Sequence, residues 1–497
     1  MSRQTLLRPF PPGDYDVVVV GSGPGGLQTS YSLRALGVRH AMLSADEEPG
    51  GMFRRFPVFE RLITWTKPDA PFEHGTREYE WYDHNSLIAE EPEARALMPK
   101  LMDRTSSMPS RPEMEAGLRA FVERTGLEIR YGCRWEATRR EDEGLVLVTS
   151  DGEYRCSAAV FAVGVTEPWK APIPGVEEAL HYTETGDPSR YEGQRVFIVG
   201  KRNSGFEVAT GLLPWASQLV LASPRPVEHA ILGRSVVRAR YLEPLDEYSR
   251  GGAGAFVVDV AIERIERRDG GFRIHTRGTT WPRELAFDAD SVLVATGFKT
   301  PLLDLPELGL ATVADGRIPA LTPFWESVSV PGVYFAGNAS QGSPGLRKQG
   351  LASNSTSVNG FRYNAAVLAR HLAESRFGVR TERPRLERSE VVPYLLSELA
   401  RAPELWVQKG YLARVLTFDG EIRDEGIVPL EHFVDEAGPD AVAVAVEMDG
   451  KATIYPAVYV RSAGRILERH LPAHPTHAFE SEEHSRELES VVGGLAG

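Results

Sequence analysis

The sequence predicts an α/β protein with two nested Rossmann-like dinucleotide-binding domains followed by a small α+β module. Three observations predict this. A glycine-rich turn stands between a valine-rich strand and a helix near the N-terminus. The same strand–turn–helix–strand grammar returns about 180 residues later. Beyond the charged, proline-bearing stretch Thr381–Arg388 the pattern changes to short alternating strands. At 497 residues the chain is too long for one hydrophobic core.

Taken in order, Asp16–Val20 carries four valines in a row, which suits a strand buried on both faces. The turn Gly21-Ser22-Gly23-Pro24-Gly25-Gly26 follows, then a helix over Leu27–Leu36 stopped by Gly37, then the apolar strand Ala41–Leu43. The second unit reads as a strand at Arg195–Val199, a turn over Gly200–Gly205, a helix from Phe206 and a strand at Leu219–Leu221. Further strands are expected at Val292–Ala295 and Val333–Ala336, and a helix over 361–376. Thr381–Arg388 reads as a linker. In the last module Ala441–Val446 alternates alanine with valine, and Asp449-Gly450 marks a hairpin leading into Thr453–Val460. The final twenty residues are mostly polar and acidic and read as a frayed helix or a disordered end. The domains are then expected at 14–168 (first nucleotide fold), 169–285 (second, inserted), 286–378 (return to the first) and 389–497 (C-terminal module).

Composition narrows the function. A formal charge of −13 with no basic stripe argues against nucleic-acid binding. No apolar run approaches a membrane span, and the N-terminal stretch lacks the apolar core of a signal peptide, so a cytoplasmic protein is expected. The two cysteines, Cys133 and Cys156, are too far apart in sequence for a CxxC redox pair. His470, His474 and His477 lie among prolines that prevent helical ligand spacing, so no metal site is expected there.

The first glycine motif has the context that gives it meaning, a strand before and a helix after. Gly21 permits the tight turn, Gly23 lets a pyrophosphate reach the backbone, and Gly26 packs helix on strand, with Pro24 a further candidate contact in the same turn. The helix N-terminus offers unpaired N–H groups and a positive dipole to phosphates. The acid expected at the end of the second strand is replaced by Ser44, with Asp46 just beyond. Gly51 and Arg54 supply backbone approach and positive charge near the pyrophosphate. The second motif departs further: Arg202 stands where the middle glycine belongs, between Gly200 and Gly205, with Asn203 and Ser204 following. Either Arg202 swings out and, with Lys201 and Arg225, favours a phosphorylated ligand, NADP(H), or it fills the middle glycine's place and the second site is weakened or lost.

With these motifs goes Ala295-Thr296-Gly297-Phe298, then Pro331-Gly332-Val333-Tyr334-Phe335-Ala336-Gly337, and Gly345-Leu346-Arg347. Together they resemble the two-dinucleotide-binding-domain flavoproteins, the superfamily of flavin monooxygenases and pyridine-nucleotide reductases. A closer resemblance, carried by Asp83-His84-Asn85-Ser86-Leu87, Arg347-Lys348 and Asn359-Gly360-Phe361-Arg362-Tyr363-Asn364, is to the FOXRED-type flavoproteins. The resemblance implies FAD in the first fold. It also implies a flavin contact at Gly337 and Asn338, where relatives carry an acid, a further contact at Leu346, and an adenine contact near Trp135. Trp65-Thr66-Lys67 aligns with a flavin-facing segment, which makes Thr66 and Lys67 the catalytic candidates. Lys67 would stabilise negative charge on a reduced flavin. The monooxygenase fingerprint is incomplete: Pro174-Gly175 and His181 keep its residue types but not its spacing.

Three functions remain open on the sequence: an NADPH-dependent flavin monooxygenase acting on a small molecule, a flavin oxidase or dehydrogenase that needs no nicotinamide, and a flavoprotein scaffold. In the last, the C-terminal strands would offer a partner or homodimer surface.

Overall fold

The computed structural model describes residues 8–142, 144–227, 252–345 and 353–495. The chain divides into two compact units. One contains residues up to Arg54, Thr64–Val165 and Thr300 onward; the other contains Arg55–Ile63 and Thr166–Lys299.

In the first unit the valine strand extends over Gly13–Val20 and pairs in parallel with His40–Leu43 on one side and Gly152–Phe161 on the other. Val17, Val18 and Val19 are wholly buried, as a central strand covered on both faces requires. Gly152–Phe161 continues through Gly144–Thr149 to Trp135–Glu141 by antiparallel pairing, and its far half pairs in parallel with Val333–Phe335. The first helix begins at Pro24, three residues earlier than the apolar pattern suggests, because proline's fixed φ and missing N–H suit a helix's first turn. The helix Val358–Phe377 packs against it.

The same unit contains the C-terminal sheet. Its order is Arg385–Leu386, Ile422–Pro429, Leu412–Phe418, Ala441–Met448, Ile454–Ser462 and Arg465–His470, antiparallel throughout. The alanine–valine strand is buried on both faces, which explains its lack of any polar position from Ala441 to Val446. One expectation is corrected here, and one choice between alternatives is decided. The supposed linker contributes an edge strand, because Arg385 and Leu386 pair with Arg423 and Ile422. The acidic tail forms the helix Glu482–Val492, capped by the Ser481 hydroxyl, which accepts from His484 N. It buries His484, Leu488 and Val492, an i, i+4, i+8 stripe hidden in a polar composition.

The second unit is one seven-stranded sheet. Five strands run parallel, in the order Ala255–Arg268, Gln218–Ser223, Arg195–Val199, Ser291–Val294 and Leu180–His181. The long first member continues into an antiparallel meander with Gly271–Gly278 and Glu284–Ala289. The boundary expected at 286 is therefore corrected. Ser291–Val294 pairs with Val196–Val199, so the chain returns to the first unit only after Lys299. The helix of this unit runs over Asn203–Leu212, again starting directly at the glycine turn. Among the described residues no helix is long and apolar enough to cross a membrane.

Candidate functional site

The glycine loop of the first unit is fixed by packing at two of its three motif glycines. Gly21 has φ +111° and its N–H bonds Leu43 O at 2.8 Å. A methyl on Gly21 would sit 2.6 Å from Ala162 O, and one on Gly26 would sit 1.9 Å from Gly21 O. Those two positions exclude any side chain for reasons internal to the protein.

Gly23 differs. Its φ of −74° is open to every residue, and a methyl there would meet nothing nearer than Gly51 Cα at 3.9 Å. Neither backbone conformation nor packing asks for glycine at this point. A ligand lying on the backbone would, and three other features face the same place. Gly51 (φ +55°) comes within contact of Gly23, and Gly50 N bonds Ser22 O at 2.9 Å. A methyl on Gly25 would lie 2.4 Å from Gly337 Cα, so the segment after Val333–Phe335 touches the loop directly. Beside Gly337, the side-chain oxygen of Asn338 is buried with no hydrogen-bond partner. A buried unpaired amide oxygen is costly unless a ligand donates to it. The glycine cradle, the helix N-terminus and this orphaned acceptor fit a bound FAD.

Other candidates fall on different ground. Ser44 is buried, and its hydroxyl pairs with Ser22 Oγ at 2.7 Å and accepts from Asp46 N at 3.2 Å. It therefore shapes the loop and leaves the partly exposed Asp46 as the carboxylate at the strand's end. Arg54 ends the short helix Gly51–Arg54, its stem lying over Gly50. Trp135 is buried against Phe161, and its indole N–H is held by Ala137 O and Thr138 Oγ1. Leu346, with Arg347 and Lys348, lies outside the described residues.

Thr66 is wholly buried; its hydroxyl donates to Asp83 Oδ1 at 2.9 Å and accepts from Asn85 Nδ2 at 3.0 Å. It is a packing residue in the geometry of this structure. Lys67 is exposed, its ammonium 5.9 Å from the Tyr82 ring centre. Sequence reading missed the group that orders this region. Arg362 is buried and donates to the backbone oxygens of Asp83, Ser86 and Glu80. It thus joins the two stretches that carry the FOXRED-type resemblance. Beside it, burial pushes the Glu80 carboxyl up to about 7 against the pull of Arg362 and the hydrogen bond from Tyr363. The signal was present, a basic residue amid Phe361 and Tyr363 on a helix's buried face.

The second loop repeats the first. Gly200 has φ +124°, and its N–H bonds Ala222 O at 2.8 Å. A methyl on Gly200 would sit 2.5 Å from Ala295 O, and one on Gly205 would sit 2.4 Å from Gly200 O. Arg202, at the helix N-cap in extended conformation, is exposed, as is Arg225 after the next strand. Asn203 and Ser204 are half-buried in the helix's first turn. Lys201 is corrected. Its ammonium is buried, ion-paired to Asp259 and bonded to Val258 O at 3.0 Å, so it holds the loop to the neighbouring strand and is not offered to a ligand.

Both cysteines are free and buried; burial raises the Cys133 thiol and pushes Cys156 up to about 12. His470 lies on a strand, not in a loop, with Glu447 and Glu468 close by. The buried Glu447 already accepts the hydroxyls of Tyr455 and Tyr459.

Fold and cradle define an FAD-dependent oxidoreductase with two dinucleotide-binding folds. Residues 18–337 match the model of the pyridine nucleotide-disulphide oxidoreductase family, and the chain belongs to that family. It is 24% identical over 489 residues to FAD-dependent oxidoreductase domain-containing protein 2 of Danio rerio, covering 87% of this chain and 68% of that protein. It is 26% identical over 335 residues to a ferredoxin–NADP reductase of Thermus thermophilus, covering 65% and 84%. In fold it is similar to a flavin-containing monooxygenase from Stenotrophomonas maltophilia, with TM-score 0.55, 22% identity, and 73% of this chain and 99% of that one covered.

Proposed function

We propose that this protein is an NADPH-dependent flavin monooxygenase acting on a small molecule, with FAD in the first unit and NADPH on the second. The observation that carries the reading is the pair of glycine loops, packed alike at their first and last glycines, one open to a ligand at Gly23 and the other bearing exposed arginines at Arg202 and Arg225. The Thermus relative is a ferredoxin–NADP reductase, in keeping with that charge.

FAD supplies the hydride-accepting chemistry. The chain's residues supply binding and order. Gly21–Gly26 and the first helix turn receive the pyrophosphate, Asn338 accepts a hydroxyl of the cofactor, and Arg225 clamps the phosphate that distinguishes NADPH from NADH. The buried, protonated thiols of Cys133 and Cys156 offer no dithiol to take electrons onward. A diffusible acceptor must do so, and oxygen is the one a monooxygenase uses.

The test is anaerobic mixing of the purified, flavin-loaded protein with NADPH. Bleaching of the flavin absorbance within seconds is expected, followed by oxygen uptake on aeration. An unbleached flavin under NADPH, with reduction by an organic substrate alone, would instead establish the nicotinamide-independent oxidase, in which Arg202 fills the place of the pyrophosphate.

A further inference from the structure

Ligands of parallel α/β sheets bind beyond the carboxyl ends of the strands. In the second unit the carboxyl end of Gln218–Ser223 leads directly into Pro224 and Arg225, and Ser223 stands opposite Asp259 of the neighbouring parallel strand. The meander returns a hairpin to the same edge. Gly278 pairs with Val260, and Gly278 N bonds Arg283 O at 2.8 Å across the tip. Three bonds fasten that tip to the strand ends. Thr279 N donates to Asp259 O at 3.0 Å, Thr279 Oγ1 to Pro224 O at 2.6 Å, and Thr280 Oγ1 to Asp259 Oδ2 at 2.8 Å. Asp259 is itself held by Lys201 of the glycine loop. The loop, the strand end before Arg225 and the hairpin are therefore one connected edge.

At the tip stands Trp281, 83% exposed, the most exposed large apolar side chain among the described residues. Pro282 follows and stiffens it, and Arg283 is exposed beside it. A tryptophan left in water on a rigid hairpin forgoes its burial energy, and its flat π-face suits a planar base. The bond from Thr279 to Pro224 O places this hairpin against the residue preceding Arg225, so base and phosphate would be gripped from adjoining positions.

We propose that Trp281 is the adenine platform of the nicotinamide-dinucleotide site, stacking on the base while Arg225 takes the phosphate of the adjoining ribose. This rests on the reading of the second unit as the NADPH site. Stacking of a base on an aromatic side chain is sequence-tolerant and strong enough to be read in a binding constant.

The test uses the FAD-loaded full chain and two probes that separate the halves of NADPH: 2′,5′-ADP, which lacks nicotinamide, and reduced nicotinamide mononucleotide, which lacks adenine. Trp281→Ala is expected to weaken 2′,5′-ADP and NADPH by about tenfold or more by calorimetry. Trp281→Phe should restore most of that affinity, and the quenching of tryptophan fluorescence by 2′,5′-ADP should shrink in both variants. Flavin reduction by the mononucleotide should be unchanged in both. Unchanged 2′,5′-ADP affinity in Trp281→Ala, with loss in Arg225→Ala, overturns the platform and leaves the NADPH site standing. A wild-type chain that binds neither 2′,5′-ADP nor NADPH overturns both.

Discussion

The two glycine loops share one backbone and differ at one decisive residue. In each, the first glycine takes a positive φ, bonds its N–H to the end of the next strand, and faces a carbonyl that excludes a side chain. In each, the last glycine lies on the oxygen of the first. The next residue along is buried and ties the loop sideways, Ser22 to Ser44 by hydroxyls, Lys201 to Asp259 by charge. Only the N-cap position is free of the fold, and there one loop has Gly23 and the other Arg202. Packing thus requires Gly21, Gly26, Gly200 and Gly205 to be glycine and makes no such demand at Gly23.

The largest expected effect tests that separation. Gly26→Ala forces a methyl onto Gly21 O and should cost about 3 kcal/mol or more in chemical denaturation. Gly23→Val should fold yet carry no FAD, read as flavin per chain after purification. A yellow, fully loaded Gly23→Val protein would break the comparison at its centre.

Next is the sideways tie. Lys201→Met leaves Asp259 partly buried without its cation and should destabilise the protein by about 2–3 kcal/mol, with Lys201→Met/Asp259→Asn recovering most of it. Burial raises the Asp259 pKa, but the hydrogen bonds from Lys201 and Thr280 outweigh it and the net shift is downward. Its stabilisation is therefore complete above the unfolded-state value near pH 4 and is lost as pH falls through the depressed folded value. Acid titration of unfolding in wild type and Lys201→Met should show that loss in the wild type only.

Arg225→Ala should weaken NADPH by about 1.5 kcal/mol, roughly tenfold, and leave NADH unchanged, as only NADPH carries the clamped phosphate. Equal loss for both would make the arginine structural. The smallest effect is expected for Arg202→Gly, a weakening of NADPH by about 0.5 kcal/mol as one exposed phosphate contact is lost. Tightening would show that the arginine fills the pyrophosphate's place, and would favour the oxidase reading.

Much of the nucleotide-binding framework was legible because it is local. Valine runs, glycines at fixed offsets and the helix that follows are properties of a few consecutive residues, and their physical reasons operate within one turn. Positions shaped by distant chain were not legible. Ser44 and Thr66 look available in sequence and are engaged in the structure. Lys201 looks like a phosphate ligand, yet Asp259, 58 residues away, neutralises it. The tail read equally as a frayed helix or as disorder because its buried stripe, His484, Leu488 and Val492, is only three residues in eleven, a pattern that has meaning only with a surface to cover it.

By itself, then, the sequence determined two strand–turn–helix units, the absence of a CxxC pair, and a formal net charge of −13. Tertiary structure alone decided which glycine the fold does not require, which lysine is already neutralised, and that Trp281 stands at the edge leading to Arg225. Those depend on what other segments occupy or leave open around each residue, and no spacing along the chain records that.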